Sequence, residues 1–349
     1  MPTFFASFSR FARANPWLWW LVVALLVLAC LTVNLTGFLA LRGQRPPQPT
    51  HASAVTGTPA AATSSPAAPG ATPTSDAPGG RIVYTCMISK NGEQNDLCLI
   101  NADGSGFRRL TTNPLDDSFY ASFSPDGESI IYAGREDGNN FIEIFELRLA
   151  DLAKTRLGCP LPGHCSAPTI SPDGRQIVFT YNDWETLSVW IMDRDGSNPR
   201  QVSEIGWDPV WSPDGSRALF AGGDPARPQL FTANPDGSDI FQVTNLDNLR
   251  GRSDWSVGGL IATYQGTPWY RQVVVLRPDG SDYRVVSPPG GNSQGPSFSP
   301  DGQWIAFTGY YDHQGDTQGC EIYIMRVDGS DLTRLTDNDY CDWQPRWGR

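Results

Sequence analysis

Positive charge is scarce in this sequence, histidine is scarcer, and beyond residue 80 no window keeps a helical period. Residues 1–80 hold Arg10, Arg13, Arg42 and Arg45 against one acid, Asp76. Of the chain's 26 basic and 37 acidic residues, 81–349 therefore keep 22 and 36, a net charge of −14. A field of that sign repels phosphate backbones, which excludes nucleic acid as an expected partner. The three histidines are His51, His164 and His313. They leave little material for a nucleophile elbow with an attendant base, so no catalytic residue is assigned. No Cys-x-x-Cys pair occurs, which removes the usual frame of a structural zinc site.

One long apolar run is present. From Pro16 to Leu41 the chain carries no charge, and Trp17, Trp19 and Trp20 stand at its start. A bilayer takes about 20 apolar residues to cross, and aromatic residues favour its interface. The run is longer than a signal-peptide core and lacks a small-x-small cleavage site. Val27-Leu28-Ala29-Cys30 resembles a lipobox weakly, with bulky Leu28 where a small residue is usual, and the apolar run continues past Cys30. The reading adopted is a short cytoplasmic terminus over 1–15 and a transmembrane signal-anchor helix over 16–42. Residues 43–80 are rich in Pro, Ala, Thr, Ser and Gly. Such a stretch buries too little to offset the entropy of ordering, so a disordered tether is expected there.

Beyond the tether the sequence repeats itself. Ser-Pro-Asp-Gly stands at 124–127, 171–174, 212–215 and 299–302, each after a bulky apolar residue: Phe123, Ile170, Trp211 and Phe298. Trp255 opens a degraded copy, and Trp347 opens one that is cut off. The markers 123, 170, 211, 255, 298 and 347 lie 47, 41, 44, 43 and 49 residues apart. A period near 40–45 with four strands per unit is the mark of a propeller blade. Ser, Pro and Gly at these places suit a type I turn followed by a left-handed residue. A second turn, Asp-Gly-Ser, recurs within 101–105, 193–197, 234–238, 277–281 and 326–330, with a degenerate sixth near Asp151. Each unit is then two hairpins. The Asp-Gly turns do not read as calcium loops, because Asp193 and Asp195 supply only two of the alternating acids required. No metal or cofactor is expected.

The first unit lacks an opening strand, since RIVYTC at Arg81 matches the second strand SIIYAG at 129–134. The last fragment, around Trp347, is a lone opening strand. Joined, they complete a sixth blade and close the ring, which removes open sheet edges. The expected fold is all-β: a six-bladed propeller of four-stranded antiparallel blades over 81–349, closed by both termini and preceded by one transmembrane helix.

On these tetrads and Asp-Gly turns the domain resembles the TolB-like propellers, whose consensus is close to D-x-x-P-x-W-S-P-D-G. Asp342-x-x-Pro345-x-Trp347 keeps the leading acid, while Ser118, Gly206 and Ser293 replace it elsewhere. The resemblance implies a periplasmic setting and envelope partners. The family's N-terminal α/β domain has no counterpart here, and a membrane span stands in its place.

Strand order puts both turn types on one face and the remaining loops on the other. Cys86 and Cys98 flank one of those loops, Cys159 and Cys165 share a crossover, and Cys320 and Cys341 border two loops of the closing blade. Their local pairing into three disulfides is expected, which implies an oxidising compartment. The same rim carries Trp184, Trp207, Trp269, Tyr270, Tyr310, Tyr311, Tyr340 and Trp343, a set suited to anchoring a ligand. Asp117, Asp208, Asp254 and Asp342 precede innermost strands and are expected to ring the pore mouth. The function expected is a membrane-tethered extracytoplasmic module of the cell envelope, monomeric in its propeller, that binds a protein or carbohydrate. The alternative is a glycan hydrolase or lyase using the pore-mouth acids.

Overall fold

A computed structural model describes residues 77–88, 94–311 and 319–349. The anchor, most of the tether and His313 lie outside these residues. Among the described residues every regular element is a strand, and no helix is long and apolar enough to cross a membrane.

The strands form six four-stranded antiparallel sheets in sequence order. The first blade is Asp117–Phe123, Ser129–Arg135, Glu143–Arg148 and Lys154–Gly158. The second is His164–Ile170, Gln176–Asn182, Leu187–Asp193 and Arg200–Ser203, and the third is Trp207–Trp211, Ala218–Gly222, Gln229–Ala233 and Phe241–Gln242. The fourth comprises Asp254–Trp255, Ile261–Gln265, Gln272–Leu276 and Arg284–Val285, and the fifth Gln294–Phe298, Trp304–Gly309, Glu321–Arg326 and Thr333–Arg334. The closing blade runs Asp342–Gly348, Arg81–Met87, Asn95–Asn101, Arg108–Arg109, so its innermost strand comes from the far end of the chain. Ile82 pairs with Trp347 and Cys86 with Asp342 across this clasp. Trp347 Nε1 donates to Gly79 O at 2.9 Å, and Arg81 Nε to Arg349 O at 3.0 Å.

Second strands are apolar at almost every position because each is covered on both sides. Along Ser129–Arg135, Ile130 and Tyr132 face the closing blade, whereas Ile131 packs with Ile144, Ile177 and Phe179 of the first and second blades. The buried apolar residues divide into six clusters, one for each blade-to-blade interface, and the interface between fifth and closing blades is filled like the others by Ile82, Tyr84, Ile322 and Ile324. The ring therefore closes without a weak seam.

The tetrad turns work as their chemistry requires. Ser124 Oγ donates to Asp126 Oδ1 at 2.5 Å and accepts from Ser129 N at 2.9 Å, while Gly127 takes φ 73°. The serine hydroxyl holds the Asp126 carboxyl below its ordinary range, and the same happens at Asp173 and Asp214. In the degraded copy Ser256 Oγ accepts from Leu260 N, closing the loop one residue sooner and without a carboxylate.

One device recurs that the repeat pattern does not announce. Five innermost strands carry a bulge or register shift, and in all six blades the residue three places before the apolar marker is left-handed. These residues are Tyr120 (φ 56°), Ala167 (48°), Asp208 (51°), Arg252 (39°), Gly295 (56°) and Gln344 (56°). A bulge puts two successive side chains on one face of its strand.

Candidate functional site

The three expected disulfides are present: Cys86–Cys98, Cys159–Cys165 and Cys320–Cys341. Cys320 leads into the third strand of the fifth blade, not the closing one, so this bridge staples two neighbouring blades. Cys159–Cys165 likewise spans the crossover from first to second blade.

The rim aromatics do not behave as one set. Tyr311 packs edge-on against Phe307 and Tyr323 and shares a 2.9 Å hydrogen bond with Ser293 Oγ. A Cβ on Gly291 would lie 1.9 Å from its ring, so that glycine is its cradle. Tyr311 is a structural residue, and its truncation would damage the fifth blade. Trp207 is half-buried against the apolar cluster between third and fourth blades. Trp343 and Tyr310 turn into the axial channel, where Tyr310 meets Trp269 edge-on at 5.5 Å. Tyr340 is half-buried. Of the expected set, Trp184 and Tyr270 face solvent, at 62% and 71% exposure.

Trp184 is joined by two residues the loop pattern did not single out as a pair. Phe141 comes from the first blade, and His164 opens the first strand of the second blade instead of lying in a loop. Ring centroids lie 5.2 Å apart for His164–Trp184, 5.9 Å for Phe141–His164 and 6.1 Å for Phe141–Trp184. His164 Nδ1 accepts from Ile142 N at 3.0 Å, which orients the ring. Exposed apolar side chains also occur on outermost strands and beside Asp-Gly turns, as at Phe107, Ile240, Tyr283 and Leu332. Those are spread over four blades and come from one blade at a time, which is ordinary for a surface. The triad is different because two blades contribute to one contiguous aromatic surface.

The four acids expected at one pore mouth are dispersed. Asp117 is tied to Arg135 Nη2 at 2.9 Å and accepts from Asn95 N and Nδ2, which fastens the first blade to the closing one. Asp254 lies at the tetrad end of the pore, accepting from Ser297 Oγ and Phe298 N. Asp342 is buried beside Glu321 and accepts from Asn338 Nδ2 at 2.8 Å. Only Asp208 reaches the axial cavity. Their place near the innermost strands did not bring them together, because they stand at different offsets from the apolar markers and only Asp208 occupies the left-handed position that lines the axis.

The axial cavity holds about 150 Å³ and is lined by Tyr120, Asp208, Arg252, Tyr264, Tyr310, Trp343 and Gln344, among others. Arg252 Nη2 donates to Gln344 O at 3.1 Å, and its guanidinium lies 5.1 Å over the Tyr120 ring. A Cβ on Gly295 would come within 3.3 Å of Arg252 Cδ, so this glycine makes room for it. Burial and the nearby Arg346 guanidinium lower the Arg252 pKa to about 10. Burial raises Asp208, whose Oδ2 accepts from Arg252 N at 3.1 Å. Burial, then Asp208, push Tyr264 up to about 12. Arg252, Tyr120 and Gln344 were absent from the sequence-based set, yet their fixed offset from the apolar markers would have found them.

The sequence does contain one Gly-x-Ser-x-Gly pentad, at 291–295. It leads directly into the innermost strand Gln294–Phe298 and not into a helix. Ser293 is fully buried, with its hydroxyl engaged by Tyr311. A nucleophile elbow needs an exposed hydroxyl on a strand-to-helix turn, so this is not one.

The TolB beta propeller domain family matches residues 146–318. The chain is 28% identical over 215 residues to an uncharacterized protein of Agrobacterium fabrum, covering 58% of this chain and 68% of that one. It is 31% identical over 137 residues to the TolB homolog of Chlorobium luteolum, covering 38% and 31%. It thus spans about a third of that relative's length. Among solved structures, TolB from Acinetobacter baumannii superposes with a TM-score of 0.66 at 20% identity, covering 77% of this chain and 66% of that one.

Proposed function

Since the described residues form a TolB-like six-bladed β-propeller, we propose that the chain is a binding module of the cell envelope that docks a protein partner on its cysteine-bearing rim. The carrying observation is the aromatic triad of exposed Phe141 and Trp184 with half-buried His164, built by two blades on a rim with three disulfides. Large aromatics of this kind supply contact area at low entropic cost, and cross-linked loops lose less freedom on binding. The acids that would serve a glycan-active enzyme are spent on the fold at Asp117, Asp254 and Asp342, which favours binding over catalysis. The relatives named TolB support an envelope partner.

Site-specific photo-crosslinkers in the full-length protein test the rim. A cross-linker at Trp184 or Tyr270 should capture a discrete protein adduct, which Phe141→Ala should weaken with unchanged thermal unfolding. Charge reversals at Asp195, Asp236 and Asp279 on the opposite face should leave the adduct intact. Adducts from the Asp-Gly face alone would overturn the assignment.

The disulfides also favour an oxidising compartment, and with it an extracytoplasmic propeller anchored by 16–42. The full chain should then resist alkaline carbonate extraction, and a chain lacking 1–42 should be released. Release of both would remove the anchor.

A further inference from the structure

The domain has more acids than bases, yet Arg252 lines its axial cavity and Arg271 stands behind the wall residue Gln294, neither in an ion pair among the described residues. Arg250, Arg252 and Arg271 all act electrostatically on Tyr264, which lines the cavity, and Asp208 is the acid opposing them there. None of the three arginines forms an ion pair among the described residues, although most arginines of the blades do. Each also keeps a buried Nε without a hydrogen-bond partner. Arg252 is only 6% exposed. Arg271 Nη1 reaches the cavity wall through Gln294 Oε1 at 2.6 Å. Trp343, another wall residue, likewise has a buried Nε1 with no acceptor.

Unpaired donors in a protein interior carry their full desolvation penalty, and guanidinium groups most of all. All four orphan atoms are N–H donors, so the missing group is an acceptor. Arg252 and Trp343 line the cavity themselves, Arg271 adds positive charge from behind Gln294, and Asp208 is the one acid in the wall, so the acceptor that suits these donors is an anion. The cavity's 150 Å³ is about the size that accepts a benzene ring, hence a group of about six non-hydrogen atoms. We infer that the axial cavity lined by Arg252 and Trp343 is a binding site for a small oxyanion, a carboxylate or phosphate group. It is separate from the rim triad and does not depend on partner docking there. The planar arginine fork suits two oxygens of such a group, and Trp343 Nε1 offers one more donor.

Tryptophan fluorescence of the full chain in detergent, at constant chloride, tests this with malonate, inorganic phosphate and uncharged malonamide as probes. Malonate or phosphate should give a saturable change and raise the melting temperature, and malonamide should do neither. Saturation by malonate alone assigns a carboxylate, and by phosphate alone a phosphate. Arg271→Gln removes a half-buried positive charge behind the wall residue Gln294, and it should weaken binding severalfold while thermal unfolding reports whether the fold is kept. Trp343→Phe should weaken it with the ring retained. Trp184→Ala should leave it unchanged. Absence of saturation by both anions, equal response to malonamide, or unaltered affinity in both cavity variants would overturn the site.

Discussion

Deleting residues 344–349 should abolish cooperative unfolding of the propeller. That segment is most of the innermost strand of the closing blade, and it contributes on two levels. Its backbone covers one edge of Arg81–Met87, and without it the ring has an open sheet edge facing the channel. Its side chains fill the space between blades and on the axis. Trp347 is 8% exposed, Arg346 Nη2 donates to Ser253 O at 3.1 Å, and Gln344 Oε1 accepts from Tyr120 N at 3.0 Å. A milder change gives the scale: Trp347→Ala alone should cost about 3–5 kcal/mol. Domain stability is roughly 5–15 kcal/mol, so losing the entire strand exceeds what the fold can spare. Urea unfolding followed by near-ultraviolet dichroism separates the two variants. A truncated chain that melts like the intact one would mean that the clasp is dispensable.

The second large effect is a loss of stability as pH rises from acid to neutral, centred on Asp342. This carboxyl is 1% exposed and sits beside fully buried Glu321. Both are held in place: Glu321 accepts from Thr336 Oγ1 and Asn338 N, Asp342 accepts from Asn338 Nδ2, and the Cys320–Cys341 bridge directly precedes both acids. Burial, then the Glu321 charge, raise Asp342 from 3.8 to about 7. A raised folded-state pKa means that the fold binds the proton more tightly than the unfolded chain. The contribution is fully present below 3.8 and is lost as pH climbs through about 7. At 1.36 kcal/mol per pKa unit the loss is on the order of a few kcal/mol. Asp342→Asn keeps the acceptor for Asn338 and removes the titration. The variant should match the parent near pH 4 and exceed it near pH 8 in urea midpoint. The turn aspartates Asp126, Asp173 and Asp214 have lowered pKa values and act only below their ordinary range, in acid. A parent–variant difference that is flat across pH would refute the role of Asp342.

The blades were legible because their signals are local. A Ser-Pro-Asp-Gly tetrad declares its turn through its own hydrogen bonds, and Phe123 or Trp211 declares the strand before it. Counting such units then fixed the number of blades and the clasp. The disulfides were legible because their partners lie close in sequence and on one face. The channel was not, because Tyr120, Arg252 and Gln344 adopt left-handed backbone that their residue types do not favour. In five of the six blades that conformation goes with a shifted register of the innermost strand. Rim aromatics failed for a related reason. Position in a loop states that Tyr311 and Trp343 are near the face, but a glycine cradle at 291 and a bulge at 344 decide which way they turn.

The sandwiching of Arg81–Met87 between two neighbours has a mechanical consequence. The strand is hydrogen-bonded along its length to Asn95–Asn101 on one side and to Asp342–Gly348 on the other, and Arg81 is the end from which the chain enters. That end lies beside Asn101, on the Asp-Gly face, opposite the cysteine rim. A pull applied between Arg81 and the rim is therefore directed along the strand. Both ladders resist such a pull in shear, with their hydrogen bonds sharing the force, whereas a pull across the strand would unzip them one by one. Forced unfolding is governed by the unfolding rate, so this geometry sets mechanical lifetime independently of equilibrium stability.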